Sequence, residues 1–197
     1  MKMRLLTDRE VQEVYAKHLK PSFPAAELRP LHAIRALMRE GTYRPWCLLD
    51  GEEIVGEAFV WEASPGWGLF DYLCVAPPRR NDGLGAMLIA KLLEAERGKV
   101  LFGESEMPQY APDPAMAQRR LAFYRRNGAQ KAGYDAAVFG VPYHTLFWAE
   151  GTVTDGALMH AHRAAYRSRF SEKAYERFIR IPWDISMGMP EKLPWEE

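Results

Sequence analysis

The sequence predicts a mixed α/β fold, in which a mostly antiparallel, twisted sheet carries flanking helices. Three observations support this fold class: two segments with helical periodicity open the chain, β-rich runs around an Asp-Gly turn follow, and a strand–helix–strand unit comes after them. Alternation of this kind favours one α/β domain over several. We therefore expect one domain over residues 1–150, with residues 151–197 forming a helical extension packed on it.

The first forty residues or so predict two helices. Thr7 is a suitable cap for the first helix, and Pro21 and Pro24 end it. The second helix starts near Pro30 and stops at Gly41, because proline suits the start of a helix and glycine its end.

The segment after this second helix predicts three strands. Residues 45–49 and 54–61 are β-rich and flank an Asp-Gly pair at 50–51, which is typical of a hairpin turn. A Ser-Pro-Gly turn at 64–66 precedes the third strand, residues 68–75.

The rest of the chain continues this alternation. The predicted elements are a helix at 83–96, a strand at 99–106, a helix at 115–126, strands at 136–141 and 145–149, an amphipathic helix at 155–180 and an irregular end at 182–197.

Charge and apolar content limit the partners that we expect. The 26 basic and 26 acidic residues balance, so the chain has no overall attraction to nucleic acid or to an anionic membrane. No apolar stretch of the sequence approaches the roughly 20 residues that span a bilayer. The only two cysteines, Cys47 and Cys74, lie in apolar, strand-like runs. We expect a reduced, cytoplasmic protein that binds neither nucleic acid nor membrane.

The turn after the third strand is the most informative segment. Prolines stiffen it, Gly83 and Gly85 follow, and an apolar helix begins there. N–H groups at a helix start are unpaired and the helix dipole favours negative charge, so phosphate oxygens can approach the main chain at these glycines. Arg79 and Arg80 add cationic donors. The residues predict a pyrophosphate site of neither the Walker nor the dinucleotide type, with a turn that binds no ligand as the alternative.

The same segment resembles the coenzyme signature of the GNAT acetyltransferase superfamily, Arg/Gln-x-x-Gly-x-Gly/Ala. In this chain the signature consists of Arg80, Asn81, Asp82, Gly83, Leu84, Gly85 and Ala86. The resemblance implies the acyl-CoA N-acyltransferase fold, with acetyl-CoA as co-substrate and its pyrophosphate on the amides of Asn81 to Ala86. It also implies that the main chain of Cys74 and Val75 pairs with the pantetheine arm. Asp82 stands where the family has a basic or polar residue, and its carboxylate weakens coenzyme binding unless it points away from the pyrophosphate.

Residues 119–129 resemble a second GNAT element, Phe-Tyr-x-x-x-Gly-Phe, with Ala129 in place of the last aromatic residue. The resemblance implies that Tyr124 is the general acid that protonates the departing coenzyme thiolate. A phenol suits this role because it stays protonated at neutral pH. A tyrosine that only packs on its helix is the alternative. Ala117 stands where many relatives have an asparagine that contacts the coenzyme.

An ammonium substrate must lose a proton before it attacks a thioester, and a carboxylate is the usual base. We predict Glu106 as the first candidate for this base, followed by Glu104 and then by Asp71. The alternative is that these are solvated carboxylates with no catalytic role. A main-chain N–H near Val75 is the predicted oxyanion donor. No acyl-enzyme is required, and Cys74 is expected to be a buried strand thiol.

The remaining polar and aromatic residues give three further predictions. The histidines and cysteines do not show zinc spacing, so no metal is expected. Several arginines either contact a coenzyme phosphate or an acidic substrate, or form a solvated helix face: Arg119, Arg120, Arg125 and Arg126. Several tryptophans either line a cleft or interface or fill the core: Trp61, Trp67, Trp148, Trp183 and Trp195.

The resemblance therefore implies an N-acetyltransferase that moves an acetyl group from acetyl-CoA to a primary amine, of a small molecule or a peptide, by direct attack in a ternary complex. Two alternatives belong to other classes. One is a non-catalytic acyl-CoA sensor, which the departures at Asp82 and Ala117 favour; the other is an interaction protein that uses its Trp-containing tail. Homodimers are common in the superfamily, and the sequence does not decide between one copy and two.

Overall fold

A computed structural model describes residues 1–25 and 27–192, and these ranges contain eight strands and six α-helices. The strands are β1 (Lys2–Leu5), β2 (Tyr43–Asp50), β3 (Glu53–Ser64), β4 (Trp67–Val75), β5 (Val100–Glu106), β6 (Gln130–Val138), β7 (Val141–Trp148) and β8 (Ile179–Trp183). The helices are α1 (Asp8–Val14), α2 (Leu31–Arg39), α3 (Leu84–Ala95), α4 (Pro114–Arg126), α5 (Asp155–Arg167) and α6 (Glu172–Phe178). A π-helical turn, Tyr15–Leu19, continues α1.

Residue contacts divide the chain into two compact units. The first contains Met1–Glu62 and Phe70–Arg97, and the second contains Ala63–Leu69 and the described chain from residue 98 onward. The division after residue 150 that the sequence suggested stays a prediction.

The first unit carries strands in the order β1-β2-β3-β4. The predicted hairpin is confirmed, because β2 and β3 run antiparallel from Tyr43 opposite Trp61 to Asp50 opposite Glu53. Strand β1 pairs antiparallel with β2 and was not predicted.

The helices of the first unit follow the local signals that predicted them. Thr7 and Glu10 form a capping box at the start of α1, in which each side chain accepts a hydrogen bond from the other residue's N–H. Gly41, with φ 74°, follows α2.

A Cβ on Gly56 would lie 3.3 Å from Cδ2 of Leu88 and 3.1 Å from the carbonyl oxygen of Cys74. Glycine at this position therefore lets α3 and β4 approach β3 closely.

The second unit carries strands in the order β5-β7-β6-β8, and each of these neighbours pairs antiparallel. The predicted bounds 136–141 and 145–149 were wrong, because the turn between β6 and β7 lies at Phe139 and Gly140, with φ 51° and 80°. A phenylalanine in the left-handed region gives no turn signal in the sequence.

The predicted single helix at 155–180 was also wrong. It is two helices, α5 and α6, and the second is capped by Ser171, whose hydroxyl accepts a hydrogen bond from the N–H of Ala174. Pro182 and Trp183, predicted to be irregular, belong to β8, which pairs with β6. Residues 193–197, with Trp195, lie outside the described residues.

Three further observations concern thiols, membranes and metals. Cys47 and Cys74 are buried free thiols. Across residues 1–25 and 27–192, no helix is long and apolar enough to cross a membrane. The same part of the chain contains no group of three or more His, Cys, Asp or Glu side chains placed to hold a metal ion.

Candidate active site

The turn that follows β4 contains two residues in the left-handed backbone region. Asn81 has φ 73° and Gly83 has φ 75°. Asparagine tolerates this conformation and glycine adopts it freely, which explains both residue types here. A short 3-10 turn, Pro77–Arg79, precedes them, and α3 begins directly after Gly83. The chain therefore forms the predicted strand–turn–helix unit.

The amino-terminal end of α3 has no side-chain cap within the described chain. Gly83 occupies the cap position, and the first N–H groups of a helix, here from Leu84 to Ala86, have no intrahelical acceptor. A Cβ built on Gly83 would meet none of the described atoms within 4 Å. Open space, unpaired amides and the positive end of the helix dipole together suit an anionic group. The turn fits the pyrophosphate of acetyl-CoA.

Arg79, predicted to be a cationic donor beside this turn, is engaged by carboxylates. Its Nη2 and Nη1 donate to Asp50 at 2.9 Å and to Glu53 at 2.8 Å. Its Nε lies 3.6 Å from Oδ2 of Asp82. The guanidinium therefore fastens the β2–β3 turn to the turn before α3, and it also faces the carboxylate of Asp82.

Arg80 lies along the end of β4. Its Nη2 donates to Oγ of Ser22 at 2.6 Å, and its Nε donates to the carbonyl oxygen of Val75 at 3.4 Å. Arg80 is exposed to solvent. Arg80 thus keeps a positive charge close to the main-chain segment predicted to hold the coenzyme.

Cys74 lies next to the buried part of β3. Its Sγ lies 3.3 Å from Oγ of Ser22. Burial raises the pKa of the Cys74 thiol to about 11, and the neighbouring Glu57 charge acts in the same direction. Because the thiol stays protonated at neutral pH, Cys74 is suited to packing and not to nucleophilic attack.

Asp71 on β4 is held by two donors. Its Oδ2 accepts a hydrogen bond from the hydroxyl of Tyr43 and another, at 3.3 Å, from Nε of Arg29. The guanidinium carbon of Arg29 lies 4.9 Å from the ring centre of Trp61. Asp71 therefore belongs to a largely buried polar and aromatic cluster of the first unit.

Tyr124 lies on α4 with its ring edge-to-face against Trp148, at 5.9 Å between centroids. Nε1 of Trp148 donates to the carbonyl oxygen of Asn127 at 2.9 Å, which fixes the indole under the end of α4. Burial raises the pKa of Tyr124, and the charge of Arg120 opposes this. The phenol stays protonated at neutral pH, as a proton donor must.

Glu104 and Glu106, on β5, both accept hydrogen bonds from helix side chains. Oε2 of Glu106 accepts from Arg120 of α4 at 2.8 Å. Oε2 of Glu104 accepts from the hydroxyl of Tyr166 at 2.9 Å, and its Oε1 lies 2.9 Å from Nε2 of the fully buried His162. Each carboxylate therefore has a structural partner.

Residues 41–128 match the family model described as acetyltransferase (GNAT) domain. This segment is a GNAT acetyltransferase domain. No curated protein matches the chain significantly.

Solved structures of similar proteins share the fold of this chain. A GNAT-family protein of Bacteroides thetaiotaomicron has a TM-score of 0.68 at 21% identity, over 83% of this chain and 95% of its own. The ribosomal-protein-S18-alanine N-acetyltransferase of Escherichia coli has a TM-score of 0.58 at 15% identity, over 77% and 98%. A spermidine N-acetyltransferase chimera of Vibrio cholerae SpeG and hSSAT has a TM-score of 0.58 at 12% identity, over 75% and 95%. These likenesses confirm the predicted acyl-CoA N-acyltransferase fold.

The GNAT acetyltransferase domain contains every site residue predicted from the sequence. Asp71 and residues 74–86 lie in the first compact unit, whereas Glu104, Glu106 and Tyr124 lie in the second.

Two polar side chains in the first unit were not predicted. Nδ1 of His18, which precedes the GNAT acetyltransferase domain in the sequence, lies 3.0 Å from Oε2 of Glu57, and Glu57 is fully buried. The sequence did contain a signal, because Glu57 is the one acid in the apolar run 54–61. A buried acid requires a partner, and the nearest one in space comes from a distant part of the chain.

Proposed function

We propose that this chain transfers the acetyl group of acetyl-CoA to the nitrogen of a primary amine, by direct attack in a ternary complex. The observation that carries the proposal is the left-handed, uncapped turn from Asn81 to Gly83 in front of α3, inside a GNAT acetyltransferase domain.

The coenzyme is bound mainly by the main chain. The amides of residues 81–86 receive the pyrophosphate, with Arg80 as the adjacent cation. The main chain of Cys74 and Val75 pairs with the pantetheine arm, and an N–H near Val75 donates to the oxyanion. Acetyl-CoA supplies the activated thioester.

The reaction needs a deprotonated amine and a protonated leaving group. The amine nitrogen attacks the thioester carbon, the C–N bond forms, and the C–S bond then breaks. Tyr124 gives its proton to the departing sulfur, and burial, which raises the pKa of Tyr124, keeps the phenol protonated at neutral pH until then. The sequence predicts Glu106, Glu104 or Asp71 as the base, and all three accept hydrogen bonds from neighbouring side chains.

The acceptor is a small-molecule amine or a peptide amine. Among proteins of similar fold, one is named a spermidine N-acetyltransferase and another a ribosomal-protein-S18-alanine N-acetyltransferase. Spermidine and a peptide with amino-terminal alanine are therefore the first two probes for an acceptor screen.

Calorimetry with acetyl-CoA tests the coenzyme site, using Gly83→Glu as the variant and Gly41→Glu as its matched control. Gly41 and Gly83 have almost the same φ, 74° and 75°, and each faces space free of described atoms within 4 Å. Backbone strain is therefore similar in the two variants, whereas only the first places a carboxylate in the turn. We expect binding by the wild type and by Gly41→Glu, and its loss in Gly83→Glu.

Thiol release in an amine screen then tests turnover. Release with at least one amine supports the enzyme. Tight binding without release by any amine would indicate the non-catalytic sensor. No binding by the wild type at millimolar acetyl-CoA would overturn the proposed function.

A further inference from the structure

The first unit contains a buried acid that the proposed mechanism does not use. Glu57 lies on β3 and its side chain has no exposed surface. Burial raises the pKa of Glu57, while the hydrogen bond and charge of His18 and the charge of Arg80 oppose the rise. Such a carboxylate is costly to keep in a core, so its partners indicate what it does.

His18 is the main partner, and it connects Glu57 to solvent. Nδ1 of His18 lies 3.0 Å from Oε2 of Glu57, and 15% of the His18 side chain is exposed. A carboxylate at Nδ1 selects the tautomer with the proton on Nδ1. The lone pair of Nε2 is then available to accept a proton. A fully buried carboxylate that orients a partly exposed imidazole is an arrangement suited to general-base catalysis.

This pair adjoins the segment proposed to hold acetyl-CoA. The thiol of Cys74 lies 3.6 Å from the carbonyl oxygen of His18 and 3.3 Å from Oγ of Ser22. Ser22 in turn accepts the hydrogen bond from Arg80. These contacts link His18, through its carbonyl oxygen, to Cys74 and place it near Arg80, two residues of the predicted coenzyme segment.

The three carboxylates predicted from the sequence lack this combination. Asp71 accepts from Tyr43 and Arg29 on a single oxygen. Glu106 is paired with Arg120. Glu104 receives Tyr166 and lies against His162, which has no exposed surface. None of these three places a partly exposed imidazole beside the coenzyme segment.

We propose that His18 accepts the proton of the acceptor ammonium group and that Glu57 is the positioning residue that holds its imidazole. This inference rests on the proposed acetyl transfer. The ammonium gives one proton to Nε2 of His18, and the neutral amine attacks the thioester carbon. A C–N bond forms, the C–S bond breaks, and the sulfur takes a proton from Tyr124. The second proton of the attacking nitrogen returns to Tyr124 through solvent, and His18 releases its proton to water. One proton is released in each turnover.

The test is the pH dependence of kcat/KM for the wild type, His18→Gln and Glu57→Gln, with His32→Gln as control. His32 is an exposed histidine of α2. The ionisable groups around the pair are Glu57 from β3, which contacts the imidazole, Cys74 from β4, whose thiol contacts the His18 carbonyl oxygen, and Arg80, whose charge acts on Glu57. We expect His18→Gln to lower kcat about 10²-fold or more and to abolish the acid limb of the profile. Glu57→Gln lowers kcat less and displaces that limb, and acetyl-CoA affinity stays within about twofold in both variants.

The outcomes separate this inference from the proposed function. Wild-type transfer combined with an unchanged profile in His18→Gln overturns the role of His18 and leaves acetyl transfer standing. No transfer by the wild type to any amine removes both. If the variants do not fold, ¹⁵N NMR of wild-type imidazoles decides: the Nδ1–H tautomer is expected for His18, and the Nε2–H tautomer overturns the proposal.

Discussion

Glu96 accepts two hydrogen bonds from Arg44, 2.6 Å from Nε and 2.8 Å from Nη2, and a third from Nε1 of Trp46 at 2.7 Å. Glu96 is 2% exposed and directly follows α3, while both donors lie on β2. Helix α3, which follows the left-handed turn at residues 81–83, is therefore fixed to the sheet of its own unit at its other end.

Glu96→Ala should lower the free energy of unfolding by about 3–5 kcal/mol, because the mostly buried guanidinium of Arg44 loses a carboxylate partner. Urea denaturation measures the change. Glu94→Ala is the matched control, since the Glu94 side chain is 68% exposed and pairs only loosely with Lys91, at 3.8 Å. Equal losses in the two variants would show that Glu96 is not an anchor.

Tyr124→Phe should lower kcat by about 10²-fold or more and leave acetyl-CoA affinity unchanged, because the proton donor is lost and the ring is kept. Steady-state kinetics with calorimetry separates the two effects. Tyr110→Phe is the control, at a residue that is 41% exposed. An unchanged kcat would mean that Tyr124 only packs on its helix.

Glu104→Gln should cost about 1–3 kcal/mol of stability, because the buried His162 and the hydroxyl of Tyr166 lose a charged acceptor. Glu106→Gln should cost less than about 1 kcal/mol, since its partner Arg120 is 43% exposed. Chemical denaturation compares the two. A 10²-fold fall in kcat for Glu106→Gln would return the role of base to that carboxylate.

Cys74→Ala should retain the activity of the wild type within a fewfold. The pKa of the thiol, raised to about 11, keeps it protonated at neutral pH, so it neither takes up acetyl nor alkylates quickly. Mass spectrometry after incubation with acetyl-CoA measures acetylation, and iodoacetamide labelling measures reactivity. An acetylated Cys74 that forms and decays at the rate of turnover would contradict direct attack.

Glu10→Gln should reduce stability by about 1 kcal/mol at neutral pH. The hydrogen bond from Arg4, followed by that from Thr7, lowers the pKa of Glu10 from 4.5 to about 2. Because the folded pKa lies below the unfolded one, this stability is present above about pH 4.5 and is lost as the pH falls towards 2. Urea midpoints over that range test the loss, with Glu13→Gln as control. A stability difference between the wild type and Glu10→Gln that does not change with pH would refute the charge effect.

Local signals accounted for the elements that the sequence predicted correctly. Thr7 capped α1 and Gly83 opened α3, because a cap or a positive φ depends on the residue itself and its nearest neighbours. Strands β1 and β8 were missed, since each is short and its hydrogen bonds come from partners far along the chain.

The candidate site shows the same distinction. The turn at residues 81–83 depends on the backbone conformation of a few neighbouring residues, so the sequence could predict it. The engagement of Arg79 by Asp50 and Glu53 depends on a hairpin that returns to the turn from 26 to 29 residues away. The pairing of His18 with Glu57 spans 39 residues. No periodicity or motif in the sequence specifies which distant side chains meet.

The engagement of Arg79 also determines how a polyanion meets this turn. Three carboxylates offset the charge of Arg79, so an anion is attracted mainly by Arg80 and by oriented peptide dipoles, both at short range. At physiological ionic strength, where the Debye length is about 8 Å, mobile ions screen little of a contact made at hydrogen-bond distance. Coenzyme capture would therefore depend only weakly on salt, and unrelated polyphosphates would not accumulate here by charge alone.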